Sequence, residues 1–88
     1  MTGIEQLMTV ARAYAQIERI SLSAASWRAL GDTKKLGAIE RGADIQVKRL
    51  ERTMQWFSDN WPDAPWPFGV PRPSLSPLPE TKPVEARA

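Results

Sequence analysis

The distribution of proline divides this chain into two parts. All eight prolines lie at or after Pro62, so residues 1–61 contain none. A helix interior excludes proline, because its ring removes a backbone N–H and clashes with the preceding turn. Residues 1–61 can therefore be helical throughout, whereas 62–88 can hold no regular helix. No segment shows the residue alternation of a β-strand, so the predicted fold class is all-α.

The side-chain inventory excludes most catalytic chemistry. The 88 residues include no cysteine and no histidine, so thiolate nucleophiles, disulfides and the usual metal ligands and general base are missing. Glu40 and Asp44 could pair across a helix boundary, but nothing beside them can serve as a nucleophile or cradle a cofactor. We therefore expect no enzyme, no catalytic residue, no cofactor, no metal and no small-molecule ligand.

Hydropathy and charge indicate where the protein is expected to be located and which partners it is expected to bind. The apolar stretches are too short for a membrane span, and the N-terminus lacks the charged-then-apolar pattern of a signal peptide. We expect a cytoplasmic, nucleoid-associated protein without a membrane partner. The net charge is only +2, but residues 21–53 hold seven basic against four acidic side chains. Positive charge is thus concentrated in the middle third of the chain, where it would attract a polyanion.

Two helices are predicted in the first 30 residues. Apolar side chains from Ile4 onward recur at spacings of three and four, which predicts a long helix from about Ile4 to Ile20. Ser23 is of the residue type that caps helices, and it is expected to begin a short second helix from about Ala24 to Leu30. Gly31 is expected to end that helix in a left-handed conformation.

Two further helices are predicted before the first proline. Asp32 and Thr33 offer a new N-cap for a short third helix over 34–40, which ends near Gly42. Asp44 is the expected N-cap of a long fourth helix that ends before Pro62. An apolar stripe at spacings of three and four identifies its buried face: Val47, Leu50, Met54, Phe57 and Trp61. The predicted architecture is therefore four helices, two long and two short.

The two short helices and their glycine turn fit two interpretations. In a small all-α domain, such a pair is typical of a helix-turn-helix, whose second helix enters the DNA major groove. An ordinary corner between two helices of a small bundle has the same geometry. Spacing alone does not decide between the two interpretations.

Specific residues favour the first interpretation. Leu22-Ser23, Leu30-Gly31 eight residues later, and then Ile39-Glu40-Arg41-Gly42 resemble the phage repressor and Cro family of helix-turn-helix proteins. The stretch from Leu30 to Leu36, with the later Trp-Phe-Ser-Asp-Asn-Trp-Pro, resembles small prophage-type regulators of α-proteobacteria. The resemblance implies a lambda repressor-like helix-turn-helix DNA-binding domain over residues 1–61. It also implies a recognition helix at about 33–41.

The sequence departs from that family at two positions. The turn is one residue shorter than usual, and the residue after Gly31 is Asp32 rather than an apolar one. Trp27 stands four residues before the glycine, where the family has a small residue because the two helices cross closely. Either Trp27 is rotated to the surface or the helices cross differently.

Base contacts are assigned to the outward face of the third helix. Leu36 and Ile39 are three apart and apolar, so they are expected to face the core. The residues then expected to face DNA bases are Thr33, Lys34, Lys35 and Ala38. Lysines at a helix N-terminus oppose the helix dipole, so stability alone explains them poorly. Gly37 is explained equally by close approach to DNA or by a simple defect in helix propensity.

Phosphate contacts are assigned to the basic residues that flank this face. These are Arg28, Arg41, Lys48 and Arg49, and each is equally consistent with an ordinary surface base. Such contacts position a protein on DNA without reading its sequence.

The segment after the helices is rich in aromatic residues. Trp61, Trp66 and Phe68 fall within eight positions, whereas disordered tails are usually poor in aromatics. Residues 62–73, the strap, are therefore predicted to pack over helices one and four of the same subunit, or else to cover a partner subunit. Residues 74–88 are rich in proline, serine and charge, and they predict a flexible tail.

The function expected from these features is sequence-specific binding of double-stranded DNA by a homodimeric transcription regulator, most simply a repressor that blocks polymerase. The alternative is a protein-interaction module, antitoxin-like or a phage accessory protein, that uses a Trp-rich surface. Loss of function on changing Lys34 and Lys35 would favour the first; loss on changing Trp66 alone would favour the second.

Overall fold

A computed structural model describes residues 3–74. These residues form four α-helices and no strand: α1 Gly3–Glu18, α2 Leu22–Leu30, α3 Lys35–Glu40 and α4 Val47–Asp59. The predicted all-α class is confirmed for this part of the chain, with two longer and two shorter helices. The tail predicted for 74–88 lies outside the described residues apart from Ser74.

The core forms around α1, which packs against each of the other three helices. α2 also packs against both α3 and α4, whereas α3 and α4 do not pack against each other. The apolar face of α1 meets Phe57 of α4, Leu36 of α3 and Ala25 of α2, all of them fully buried. Tyr14 sits edge-on to Trp56 and Phe57, with ring centroids 5.6 and 5.3 Å apart. Such edge-to-face pairs stabilise beyond the area that they bury.

α1 ends two residues earlier than its apolar pattern predicts. Arg19 adopts a left-handed conformation with a φ of 56°. The N–H of Ile20 then donates to the carbonyl of Ala15 at 2.9 Å, and that of Arg19 donates to Gln16 at 3.2 Å. This is the hydrogen-bond pattern of a Schellman motif, in which the C′ position is usually glycine.

A glycine at this position should stabilise the protein. Left-handed backbone strains a residue that has a Cβ, so Arg19→Gly is expected to raise the free energy of unfolding by about 0.5–1 kcal/mol after its extra unfolded-state entropy is subtracted. Urea denaturation measures the change. Arg19→Ala, which keeps the Cβ, is the control and should leave stability nearly unchanged; a gain of equal size in both variants would contradict the strain argument.

The N-caps of α2 and α4 differ from those predicted. Ser21, not Ser23, caps α2, and its Oγ accepts a hydrogen bond from the N–H of Ala24 at 3.1 Å. α4 begins after Gln46 rather than after Asp44. The predicted stripe of α4 is also wrong at its first position, because Val47 is 68% exposed.

The strap lies against the helices of its own chain. Val70 is buried, and Trp61 and Trp66 pack against the core with their ring centroids 4.7 Å apart. The indole N–H of Trp66 donates to the carbonyl of Val70 at 2.9 Å. Arg72 lies over the ring of Trp66 and also donates to the backbone carbonyl of Ser58 at 2.8 Å. These contacts join the strap to the last turn of α4.

Candidate functional site

A buried serine fixes α3 against α2. Ser26 is fully buried, and its hydroxyl donates to the backbone carbonyl of Asp32 while accepting from the N–H of Leu36 at 3.0 Å. Gly31 makes the left-handed turn, with a φ of 70°. The Asp32 carboxylate then accepts from the N–H of Lys34 at 2.8 Å. Both the turn and the first residues of α3 are thus held by hydrogen bonds.

Ser26 was not among the predicted site residues, although the sequence around it carries a signal. It is a small polar residue within the apolar stretch of α2, one turn before the glycine that ends the helix. Buried hydroxyls are kept only where they find partners, and the turn supplies both a donor and an acceptor. A small residue is therefore present at the helix crossing, one position before the one expected.

The position of Trp27 follows from that shift. Ala25 and Ser26 occupy the buried crossing, and Trp27 lies 60% exposed on the outer side of α2. Trp27 fits at this position because its side chain is rotated to the surface, which was the first of the two alternatives.

The outward face of α3 combines two cations with two small residues. Leu36 and Ile39 are buried, which confirms the predicted inner face. Lys34, Gly37, Ala38 and Arg41 share the opposite face, because their spacings are three, four and seven residues. Lys34 and Arg41 are exposed at its two ends, and Gly37 and Ala38 are half-buried between them. A Cβ added to Gly37 would lie 3.4 Å from Nη1 of Arg41, so the guanidinium extends back along the helix.

Two residues assigned to base contacts lie beside this face rather than on it. Lys35 is half-buried, and its Nζ reaches 3.5 Å from the backbone carbonyl of Asp44 in the loop after α3. Thr33 is exposed in the turn before the helix. The structure therefore separates the two neighbouring lysines, and only Lys34 points outward from α3.

Glu40, the acidic residue next to Arg41, is paired with a basic residue of α1 rather than with Arg41. Glu40 forms an ion pair with Arg12 of α1, which also links the end of α3 to the core helix. The ion pair holds the Glu40 carboxylate towards α1, so Glu40 does not offset the positive charge of Arg41 on the outward face. The exposed ends of this face are both cationic.

The residues assigned to phosphate contacts do not form one cluster. Nη1 of Arg28 donates to the hydroxyl of Tyr14 at 3.1 Å and to the carboxylate of Glu18 at 3.0 Å. The hydrogen bond to Tyr14, followed by that to Glu18, raises the pKa of Arg28 above its ordinary value. Lys48 is exposed in the first turn of α4, and Arg49 is half-buried against the end of α2. Only Arg41 of the four lies on the outward face of α3.

No cluster of three carboxylates in the part of the chain that the structure describes could hold a metal ion. None of the four helices in residues 3–74 has the length and hydropathy of a membrane span.

Comparisons with models of protein families, with curated proteins and with solved structures find no match to this chain. Among the arrangements of residues described above, the outward face of α3 has the clearest chemistry.

Proposed function

We propose that this protein is a transcription regulator that binds double-stranded DNA by placing α3 in the major groove. The observation that carries the proposal is the outward face of α3, where Lys34 and Arg41 flank Gly37 and Ala38. Small residues let the helix backbone approach the base edges, and a lysine at the N-terminal end can donate to guanine O6 or N7. The flanking arginine supplies a phosphate contact.

The hydrogen bonds of Ser26 support this assignment. A recognition helix must be held in a fixed position to discriminate between base sequences, and α3 is too short to be stable alone. Ser26 joins the start of α3 to α2, and the ion pair between Arg12 and Glu40 joins its end to α1. Both ends of the six-residue helix are therefore anchored to the domain.

Such a domain would act as a homodimer and, most simply, as a repressor. One short helix contacts few base pairs, so binding to two half-sites raises both affinity and specificity. Lys34, Ala38, Arg41 and the nearby Thr33 make up the DNA contacts of this proposal. Lys35 is assigned a supporting role at its edge, and Arg28, Lys48 and Arg49 are left out because none of them lies on the outward face of α3.

A protein-interaction module is the second candidate, and the exposed aromatics favour it. Trp27 is 60% exposed on α2, and Phe68 is fully exposed at the tip of the strap. Trp61 and Trp66 are used within the fold, so a Trp-rich interaction surface would depend on Trp27 and Phe68 instead.

Genome-wide DNA occupancy of the tagged full-length protein separates the two candidates. A shared motif in the recovered DNA, bound in a gel-shift assay at stated salt, would support the regulator. Scattered recovery without a motif, together with loss of function in Trp27→Ala and Phe68→Ala, would favour the interaction module.

Gly37 tests whether α3 approaches DNA closely. Gly37→Ala should raise the free energy of unfolding by about 0.5–1 kcal/mol, because alanine favours helix and the new Cβ meets only the flexible end of Arg41. The same methyl group should weaken operator binding by about 1 kcal/mol, or roughly fivefold, by holding the backbone away from the groove. Thermal melting and gel-shift assays measure the two effects. Higher stability with unchanged affinity would show that Gly37 is only a propensity defect.

A further inference from the structure

A second site lies between the end of α2 and one side of α4. A cavity of about 300 Å³ is lined by Ala29, Leu30, Arg49, Arg52, Thr53 and Trp56. None of residues 33–41 lines it, and α4 does not pack against α3. The cavity is therefore separate from the outward face of α3, and it does not depend on the proposed DNA binding.

The two guanidinium groups at this cavity have no hydrogen-bond acceptor in residues 3–74. Arg49 is half-buried and Arg52 is exposed, yet neither guanidinium makes a hydrogen bond or ion pair to that part of the chain. The Thr53 hydroxyl is already used, because it donates to the backbone carbonyl of Arg49 at 2.7 Å. Each guanidinium carries five N–H donors and no acceptor, so an anion is the class of ligand that the pair can bind.

Trp56 adds an aromatic wall to the cavity. The indole N–H groups of Trp61 and Trp66 each donate to a backbone carbonyl, whereas that of Trp56 makes no hydrogen bond within the described residues. Its ring is half-buried and held edge-on against Tyr14 and Phe57, so its orientation is fixed. Trp56 and the apolar end of α2 both line the cavity, and an aromatic ring is a side chain on which a flat group can stack.

We propose that this cavity binds a small phosphate-bearing ligand with a flat aromatic group, of the size and chemistry of a mononucleotide. Arg49 and Arg52 bind the phosphate, since planar guanidinium groups match the geometry of phosphate oxygens. Trp56 stacks on the aromatic group. The cavity volume lies at the lower end of the range for small-molecule sites, which suits a ligand of this size. The amino-acid sequence predicted no small-molecule ligand; this site is formed by side chains from two helices, α2 and α4.

Titration of the ¹⁵N-labelled full-length protein with adenosine 5′-monophosphate tests the proposal by NMR. The indole N–H resonance of Trp56 should shift and saturate, and binding should be about tenfold weaker in both Arg49→Gln and Arg52→Gln, each of which loses charge-assisted hydrogen bonds. Arg19→Gln removes the same charge from the exposed end of α1, and it should bind the nucleotide as the unchanged protein does. The spectra also show whether each variant is folded, and exposed Arg52 gives a readout even if Arg49→Gln unfolds.

Three further probes, adenosine, inorganic phosphate and duplex DNA, test separately whether the aromatic group and the phosphate are both recognised and whether DNA competes for the site. Adenosine and inorganic phosphate, which each supply half of the ligand, should both bind more weakly than the nucleotide. No shift of the Trp56 resonance at millimolar nucleotide would overturn the proposal, as would equal weakening in Arg19→Gln, which would indicate diffuse charge attraction. Displacement of the nucleotide by duplex DNA, with the same dependence on Arg49 and Arg52, would assign these arginines to DNA and also overturn it.

Discussion

Trp66→Ala is expected to lower the free energy of unfolding by about 3 kcal/mol, the lower end of the range for removal of a packed tryptophan, because the ring is only half-buried. The truncation removes the ring contact with Trp61 and the indole hydrogen bond to Val70. It also removes the aromatic face under Arg72, which holds the strap to the backbone of Ser58. Because one side chain makes all three contacts, the middle of the strap should lose its packing, while the hydrogen bond from the Ser58 hydroxyl to the carbonyl of Pro73 still holds its end on α4.

Trp27→Ala is the matched control for this experiment. Trp27 is the same residue type, but it is 60% exposed and contributes to no ring pair in the described residues, so its loss should change stability by less than about 0.5 kcal/mol. Urea denaturation of the two variants gives the comparison, and sedimentation gives the subunit number. Equal stability of the two variants would contradict the packing of the strap. A folded but monomeric Trp66→Ala protein would instead place Trp66 at a subunit interface.

The sequence predicted the helices better than it predicted their ends. The absence of proline before Pro62 and the spacing of apolar residues identified all four helices and the buried pair Leu36 and Ile39. Ser21 and Ser23 are equally good capping residues, so type alone could not choose between them. In the structure Leu22 packs against the core as the first residue of α2, and Ser21 is the cap that precedes it.

Asp44 shows a second limit of local prediction. It is a strong N-cap by residue type, yet α4 begins three residues later. Ile45 follows it immediately and packs against the core, and the N–H of Ala43 donates back to Ala38 at 2.9 Å. These contacts hold the loop in a non-helical path. They depend on α1 and α3 being in place, so no local pattern reveals them.

The candidate site was only partly predictable, for a similar reason. Lys34 and Lys35 are adjacent, and their directions differ by about a quarter of a helix turn, so a small error in helix phase exchanges their roles. The partners of Arg28 are Tyr14 and Glu18 on α1, ten or more residues away in the sequence. Such partners become visible only once the two helices are packed together. What the pattern did identify was α3 itself, from the glycine before it and the apolar pair within it.

Lys34→Ala should weaken operator binding by about 1–3 kcal/mol and relax the sequence preference, if Lys34 donates to a base edge as proposed. Its side chain is exposed at the outer start of α3, and the fold uses only its backbone: the N–H donates to the Asp32 carboxylate, and the carbonyl accepts from the N–H of Ala38. The fold should therefore be unaffected, which thermal melting can verify. Lys35→Ala should have a smaller effect, because that side chain is half-buried and directed towards the loop. Arg19→Gln is the control for loss of a positive charge, and it should bind the operator normally.

Arg41→Gln should produce a different loss, and the contrast between the two variants tests the orientation of α3. A phosphate contact releases condensed counterions, so removing one from each subunit of a dimer should flatten the plot of log affinity against log salt by about 2. The preferred base sequence should not change, because phosphates carry none of the sequence information. Lys34→Ala should show the reverse: the preferred base sequence should change, and the slope of log affinity against log salt should stay nearly constant. Gel-shift titrations at several salt concentrations, on the operator and on random DNA, measure both quantities. A change of base preference in Arg41→Gln without a change in slope would mean that α3 enters the groove by its C-terminal end, with Arg41 at the bases and Lys34 at the backbone.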